Sequence, residues 1–381
     1  MRFRFDFPSF PTSAAALRSS TRAFLRDARD AGRFTPHSNA WMAFDAGFTQ
    51  LCGEAGLIGL TFPAEYGGHG RSALERYIVY EEMLAAGAPL GMHWIADRQS
   101  GPQILRHGSK EAKQRVLPAI ARGRCGIGIG MSEPDAGSDL ASVRTRGAKV
   151  AGGWNISGTK LWTSHAHRVQ YVIVLARTEA AGDDRHSGLT QFLVATDARG
   201  FSAHPIEDLT GGHDFNEIVL DEVFVADDFV LGSPGDGWRL VTSELAYERS
   251  GPDRFLSTYP LFVELLRVRN LRASADAPAK VGRLVAHLAT LRRMSMAVAG
   301  MLDRGLAPIV EAAIVKDLGT SFEREIPEAA RMLAPVAADL SSTDPYVAEL
   351  AGALLCAPSF TLRGGTREIL RGIVARELGL R

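Results

Sequence analysis

Apolar side chains recur at helical spacing through the first third of the sequence. From Ser13 to Ala31 they fall at Ala16, Leu17, Ala23, Phe24, Leu25 and Ala28, and Trp41 to Leu57 repeats the pattern before closing into Tyr66-Gly67-Gly68-His69-Gly70. The next helix carries its own start signal. Ser72 and Glu75 form an S-x-x-E box in which each side chain satisfies an orphan N–H of the first turn, and Gly87 predicts the stop after about Ala86. Gly91 to His107 and Ser109 to Arg122 predict two more helices. Near Arg124 the texture changes. Cys125 to Leu231 is rich in Gly, Thr and β-branched residues, with strands predicted at Val172–Leu175, Gln191–Ala195 and Ile218–Val225 between Gly- and Asp-rich turns. After Gly235-Asp236-Gly237 the helical period returns. It predicts one long stretch from Trp238 to about Asn270, interrupted only at Pro252 and Pro260. Helices over Lys280–Leu302, Leu306–Leu333, Tyr346–Leu354 and Thr366–Leu378 follow. Helices, strands and helices in separate blocks predict an α+β chain and not alternating βαβ units. The boundaries fall at 1–123, 124–234 and 235–381.

Composition narrows the class. Lys+Arg and Asp+Glu are both 43, so the chain lacks the basic excess of a nucleic-acid binder and also the repulsion that opposes self-association. The cysteines Cys52, Cys125 and Cys356 are odd in number and far apart, which predicts neither a disulfide framework nor a cysteine zinc site but buried thiols in a reducing compartment. No apolar run approaches the roughly 20 residues of a membrane helix, and the first residues lack a secretory pattern. The expectation is a soluble, cytoplasmic protein with no nucleic-acid or membrane partner.

Three patterns imitate known sites and fail on context. Gly126-Ile127-Gly128-Ile129-Gly130 lacks the last Gly of a dinucleotide loop and opens no helix. Gly158-Thr159-Lys160 reverses the order that a P-loop needs. His165 and His167 have no carboxylate or Cys at a familiar metal spacing, so no metal is expected.

Two segments carry chemistry. Met131-Ser132-Glu133-Pro134-Asp135-Ala136-Gly137-Ser138-Asp139 reads as a strand ending in a sharp polar loop, with hydroxyls, a glycine for close approach and successive N–H groups suited to an anion. A solvated turn with capping residues has the same composition. Gly158-Thr159-Lys160-Leu161-Trp162-Thr163-Ser164 sets an aromatic and hydroxyls just before the strand at Tyr171. By residue type alone, Trp162 is equally a core side chain.

Together the two segments resemble the signature of the acyl-CoA dehydrogenase family. The likeness continues in His213-Asp214-Phe215-Asn216-Glu217, in Asp221 to Val225, in Gly235-Asp236-Gly237-Trp238 and in Gly364-Gly365-Thr366-Arg367-Glu368-Ile369. The resemblance implies three domains: N-terminal helices, a small middle β domain and a C-terminal four-helix bundle. It also implies bound FAD. On that reading Ile129, Met131, Ser132, Gly137 and Ser138 follow the flavin edge, Trp162 packs on the ring system, and Thr163 and Ser164 lie near its reactive nitrogen. Thr366 and Glu368 match positions that contact the ribose–pyrophosphate, and Glu368 stands where many relatives have Gln.

The implied reaction removes hydrogen from the α and β carbons of an acyl thioester. In many relatives the base is a Glu directly before the final Gly-Thr, and here that place is Gly364. A minority arrangement puts the Glu in a Glu-Arg pair on the first long helix of the last domain. That pair resembles Leu245-Ala246-Tyr247-Glu248-Arg249-Ser250-Gly251, which makes Glu248 the expected base. From residue type alone Glu248 is also a solvated helix carboxylate. Ser138, Tyr247, Arg249 and Gly364 are the expected substrate contacts. The Arg-x-x-Phe-Gly and Gln-x-x-Gly-Gly segments of homotetrameric relatives are missing. The nearest stretches are Arg254-Phe255, Arg272 and Arg331-Met332-Leu333-Ala334. The expected partners are an acyl-CoA, an electron-transferring flavoprotein and three further copies in a homotetramer. Two alternatives stay open: an oxidase or monooxygenase on the same fold, and a non-catalytic acyl-CoA-binding subunit of a mixed assembly.

Overall fold

The computed structural model describes residues 4–37, 39–268, 271 and 276–380. Its contacts divide the chain into two units. One comprises Met1–Ala43, Ser72–Leu90 and Leu245–Arg381, and the other Phe44–Arg71 and Gly91–Glu244.

The first unit is helical: α1 (Ala14–Asp30), α3 (Ala73–Ala85), the last turn of α7 (Gly237–Arg249), α8 (Tyr259–Arg267), α9 (Ala277–Asp303), α10 (Ile309–Leu333), α11 (Pro345–Phe360) and α12 (Arg367–Glu377). The capping box at α3 forms. The Ser72 hydroxyl accepts from the Glu75 N–H at 3.1 Å, and the Glu75 carboxylate accepts from the Ser72 N–H at 3.0 Å. Gly87 takes φ +67, the left-handed geometry that ends the helix with least strain. The long stretch expected from Trp238 is three pieces. α7 stops at Arg249, Pro252 opens a 3-10 turn over Pro252–Arg254, and Pro260 sits in the first turn of α8. A proline interior to a helix removes a hydrogen bond and clashes with the preceding turn, so each proline starts an element here. Asn270, the expected end of that stretch, lies outside the described residues, as does Arg272.

The second unit holds α2 (Ala46–Glu54), α4 (His93–Ile95), α5 (Gly101–His107), α6 (Lys110–Ala121) and an eight-stranded sheet. The strands are β1 (Ile127–Gly130), β2 (Arg146–Val150), β3 (Gly153–Ser164), β4 (Tyr171–Arg177), β5 (Leu189–Ala195), β6 (Phe201–Ile206), β7 (Phe215–Ala226) and β8 (Val230–Leu231). The sheet order is β6-β7-β3-β2-β4-β5-β8, with β1 parallel to β4. β4 is covered on both faces: Val172, Val174 and Ala176 join Trp154 and Phe192 on one side, while Leu175 packs with Val143 and Leu189 on the other. That explains its uninterrupted apolar run. The helix expected from Trp41 begins only at Ala46, because Asp45 takes extended backbone and accepts from the Phe48 N–H at 2.8 Å. Gly91–His107 is helical from His93, with a π-helical turn over Ala96–Ser100 between α4 and α5. Inside that turn Gln99 donates to Glu244 at 2.6 Å, and both side chains are buried.

Candidate active site

In the sheet unit the two chemistry-bearing segments come together. The Leu161 N–H donates to the Ser132 carbonyl at 2.8 Å. Lys160, wholly buried, donates to the Met131 carbonyl at 3.1 Å and to Glu133 at 2.8 Å. Glu133 also accepts from the N–H groups of Arg144 at 2.6 Å and Thr145 at 2.8 Å. Burial pushes the Glu133 carboxyl up, but the ammonium and the N–H donors outweigh it and hold it below its ordinary value. Burial lowers Lys160 to about 8 against the pull of Glu133. The lysine of the reversed P-loop pattern therefore ties down the polar loop, with Glu133 as its partner. Both lie in polar stretches of sequence, so no pattern along the chain announced that the two would pair.

The β3–β7 ladder shifts register between Lys160 and Thr163. A bulge of this kind re-aims a side chain, and here it throws Trp162 outward. Trp162 has φ +63 and is 56% exposed, touching Phe215 edge-on at 6.2 Å between ring centroids. A large indole is thus not core, and its backbone is held in a region that only Gly enters freely. The Thr163 hydroxyl is buried without a hydrogen-bond partner. Ile129, Met131, Ser132 and Ser164 are partly buried, whereas Gly137 and Ser138 are exposed, with nothing within 4 Å of a Cβ built on Gly137. His165 follows at φ +53, its ring 5.1 Å from Phe44. Burial, then Asp208, pushes nearby Asp214 up to about 6. Among the described residues no cluster of His, Cys, Asp and Glu is arranged to hold a metal ion.

The helical unit gathers the rest. Glu248 and Arg249 end α7, beside the turn Gly364-Gly365 that precedes α12. Gly364 has φ +66, and a Cβ built on it would lie 2.6 Å from Glu248 Oε1. Arg249, buried, donates from Nε to the Gly364 carbonyl at 3.1 Å, while its Nη1 has no hydrogen-bond partner. Arg254, in the stretch nearest to the missing Arg-x-x-Phe-Gly segment, is 1% exposed. It donates to the Glu248 carbonyl at 3.0 and 2.9 Å, and its guanidinium lies 3.4 Å from the Glu248 carboxylate and 3.0 Å from Asp253. Arg363 stacks 4.1 Å over Trp41 and pairs with buried Glu323 at 2.8 Å. Tyr247 is partly buried on α7. Thr366 is the N-cap of α12 in extended backbone, and Glu368 sits below its ordinary pKa because it accepts from its own N–H and then from the Thr366 hydroxyl. This carboxylate takes up its own N–H at a helix start that would suit an anion. Arg331 is paired with Glu328 at 2.7 Å and Met332 is exposed, so neither reproduces a glycine pair.

Comparison with known proteins decides the family. Residues 12–124 match the acyl-CoA dehydrogenase N-terminal domain and residues 128–223 the acyl-CoA dehydrogenase middle domain. The acyl-CoA dehydrogenase IpdE1 of Mycobacterium tuberculosis is 35% identical over 337 residues, 87% of each chain. The chain belongs to the acyl-CoA dehydrogenase family. This is a family of FAD-using oxidoreductases with N-terminal helices, a middle sheet domain and C-terminal helices, the expected α+β fold. Among solved structures, the Tcur3481-Tcur3483 steroid ACAD superposes with a TM-score of 0.84 at 25% identity, covering 98% of both chains. The ChsE4-ChsE5 complex from Mycobacterium tuberculosis gives 0.80 at 28% identity, covering 98% of this chain and 99% of that one. The residues around Trp162 fit the family's cofactor: an exposed indole on strained backbone, a buried unpartnered hydroxyl beside it and open space at Gly137 are provisions for a flat aromatic ligand. Among the described residues no helix is long and apolar enough to cross a membrane.

Proposed function

We propose that this chain is an acyl-CoA dehydrogenase that converts an acyl-CoA thioester to its trans-2-enoyl-CoA, with Glu248 as the base that takes the α proton. One observation carries the assignment. The Glu248 carboxylate occupies the space that a side chain at position 364 would enter, 2.6 Å from its Cβ, so a side chain at 364 and the Glu248 carboxylate compete for one space. Arg254 steadies Glu248 from the side, and Arg249 holds the Gly364 carbonyl and with Tyr247 and Ser138 receives the substrate. The Gly364 N–H polarises the thioester carbonyl, a task that needs no side chain. Ile129, Met131, Ser132, Gly137, Ser138, Trp162, Thr163 and Ser164 hold the flavin, and Thr366 with Glu368 meets its ribose–pyrophosphate. FAD, when bound, accepts the β hydrogen as hydride. An electron-transferring flavoprotein then reoxidises the enzyme, a homotetramer. A base on α7 suits branched or cyclic acyl groups, in keeping with the steroid named in one structural neighbour.

The test is Glu248→Gln assayed with a panel of acyl-CoAs and an artificial electron acceptor. The variant should keep its flavin and lose about 10²–10⁴-fold in turnover, the scale of removing a general base. Near-normal kcat would refute the assignment.

A further inference from the structure

α10 carries a fully buried lysine that the proposed reaction does not use. Lys316 lies in the run Ala312-Ala313-Ile314-Val315-Lys316, and its side chain is 0% exposed. Its ammonium donates to the carbonyl of Gly365, while the Arg249 guanidinium donates to the carbonyl of Gly364 at 3.1 Å. Two cations from different helices thus grip two consecutive carbonyls of one turn. Both glycines are at positive φ, +66 and +93, where the backbone has little intrinsic preference of its own and an outside hold decides the conformation. A trans peptide points its N–H opposite its C=O. The grip therefore aims the N–H groups of Gly365 and Thr366 away from the cations.

We propose that Lys316 is a positioning residue of the active site: together with Arg249 it locks the Gly364-Gly365 turn beside Glu248 and so orients the turn's N–H groups towards what they bind. The catalytic part of this rests on the dehydrogenase reading above. The holding of the turn does not.

The charges around Lys316 argue for a functional placement. It faces Glu248 and Arg249 of α7, Arg254 of the 3-10 turn and Arg363 after α11. Asp253 and Glu323, the other anions of the cluster, pair with Arg254 and Arg363, and Asp317 pairs with Arg367 and Arg371. Burial first, and then Arg254, lower Lys316 to about 7 from its ordinary 10.5. The sign follows. Between about 7 and 10.5 the unfolded chain binds a proton that the folded chain does not, so this group makes the fold more stable as pH rises through that window. Below 7 the buried ammonium opposes folding, yet there its charge-assisted hold on the Gly365 carbonyl is strongest. A residue retained for stability alone would behave in the opposite way.

Hydrogen exchange read by mass spectrometry tests the hold on the full-length protein without reference to activity. In the wild type, protection of the amides at 364–370, corrected for intrinsic rate, should fall as pH rises through about 7. In Lys316→Arg, charged throughout, it should stay level. In Lys316→Met at pH 6 the same amides should exchange at least several-fold faster, while the melting temperature rises or holds. Unchanged protection of these amides at pH 6 in Lys316→Met, or in Lys316→Ala should the Met variant not fold, would overturn the proposal. In turnover, Lys316→Met should lose on the order of 10–10²-fold in kcat with KM little moved, the scale of a small misplacement. Wild-type protein that turns over no acyl-CoA would remove the dehydrogenase reading and leave the exchange result to decide the hold.

Discussion

A missing side chain explains much of this site. Gly364 has no Cβ, and that lack is what lets the Glu248 carboxylate lie against it. Gly364→Ala should therefore act twice. An L side chain at φ +66 costs roughly 1–2 kcal/mol, and its methyl would force Glu248 aside. We expect kcat to fall on the order of 10²-fold with flavin retained and only a modest drop in melting temperature. Full activity in this variant would show that Glu248 does not need that space. The family likeness singled out Glu248, Arg249 and Gly364 in the sequence, and the structure sets the three side by side, while their roles belong to the proposal that Glu248→Gln tests. Lys316, Arg254 and Arg363 were not legible. Their partners lie from 6 to 110 positions away, and a buried cation of this kind has no period or motif to betray it.

Strand β3 shows the same contrast between pattern and context. Its apolar residues do not alternate cleanly, because Gly158 at φ +151 makes one register break and Trp162 another, so the periodicity predicted no strand over Gly153–Ser164. β4, β5 and β7 announced themselves because both-face burial or clean alternation left continuous or period-two runs. Short or partly exposed β2, β6 and β8 did not. Helices were better marked, by caps and prolines, with Asp45 and Pro252 as the boundaries misplaced by the period alone. The irregular strand is tied to the polar loop by Lys160 and Glu133, both nearly inaccessible to water. Removing one partner of such a pair leaves a buried unpaired charge, typically 3–5 kcal/mol. Lys160→Met should thus destabilise the protein and release flavin, measured by thermal melting and by the flavin absorbance that survives gel filtration. The double variant Lys160→Met with Glu133→Gln should recover most of the stability. Recovery of none would place the loss elsewhere than in the charge pair.

Assembly is where the family pattern and this chain diverge most. The segments that reach FAD across subunits in homotetrameric relatives are missing, and an acid at Glu368 takes up its own N–H at the start of α12. Two structural neighbours are described as two-component pairs. Against this, the flavin-edge residues and Glu248 occur in one sequence, the net charge is 0, and exposed apolar side chains gather in the C-terminal third at Leu318, Met332, Leu340, Leu362, Leu378 and Leu380. Zero net charge offers no repulsion to oppose the proposed homotetramer, and these side chains are the apolar surface it would cover. Purified alone, it should elute by light scattering at the mass of four 41.1 kDa chains and carry flavin absorbance, or gain it on adding FAD. Colourless protein of lower mass, turning yellow only when mixed with a second acyl-CoA dehydrogenase-like chain, would replace the homotetramer with a mixed assembly. In that case Glu248→Gln should still abolish turnover of the mixture, because the base travels with this chain whichever subunit completes the flavin site.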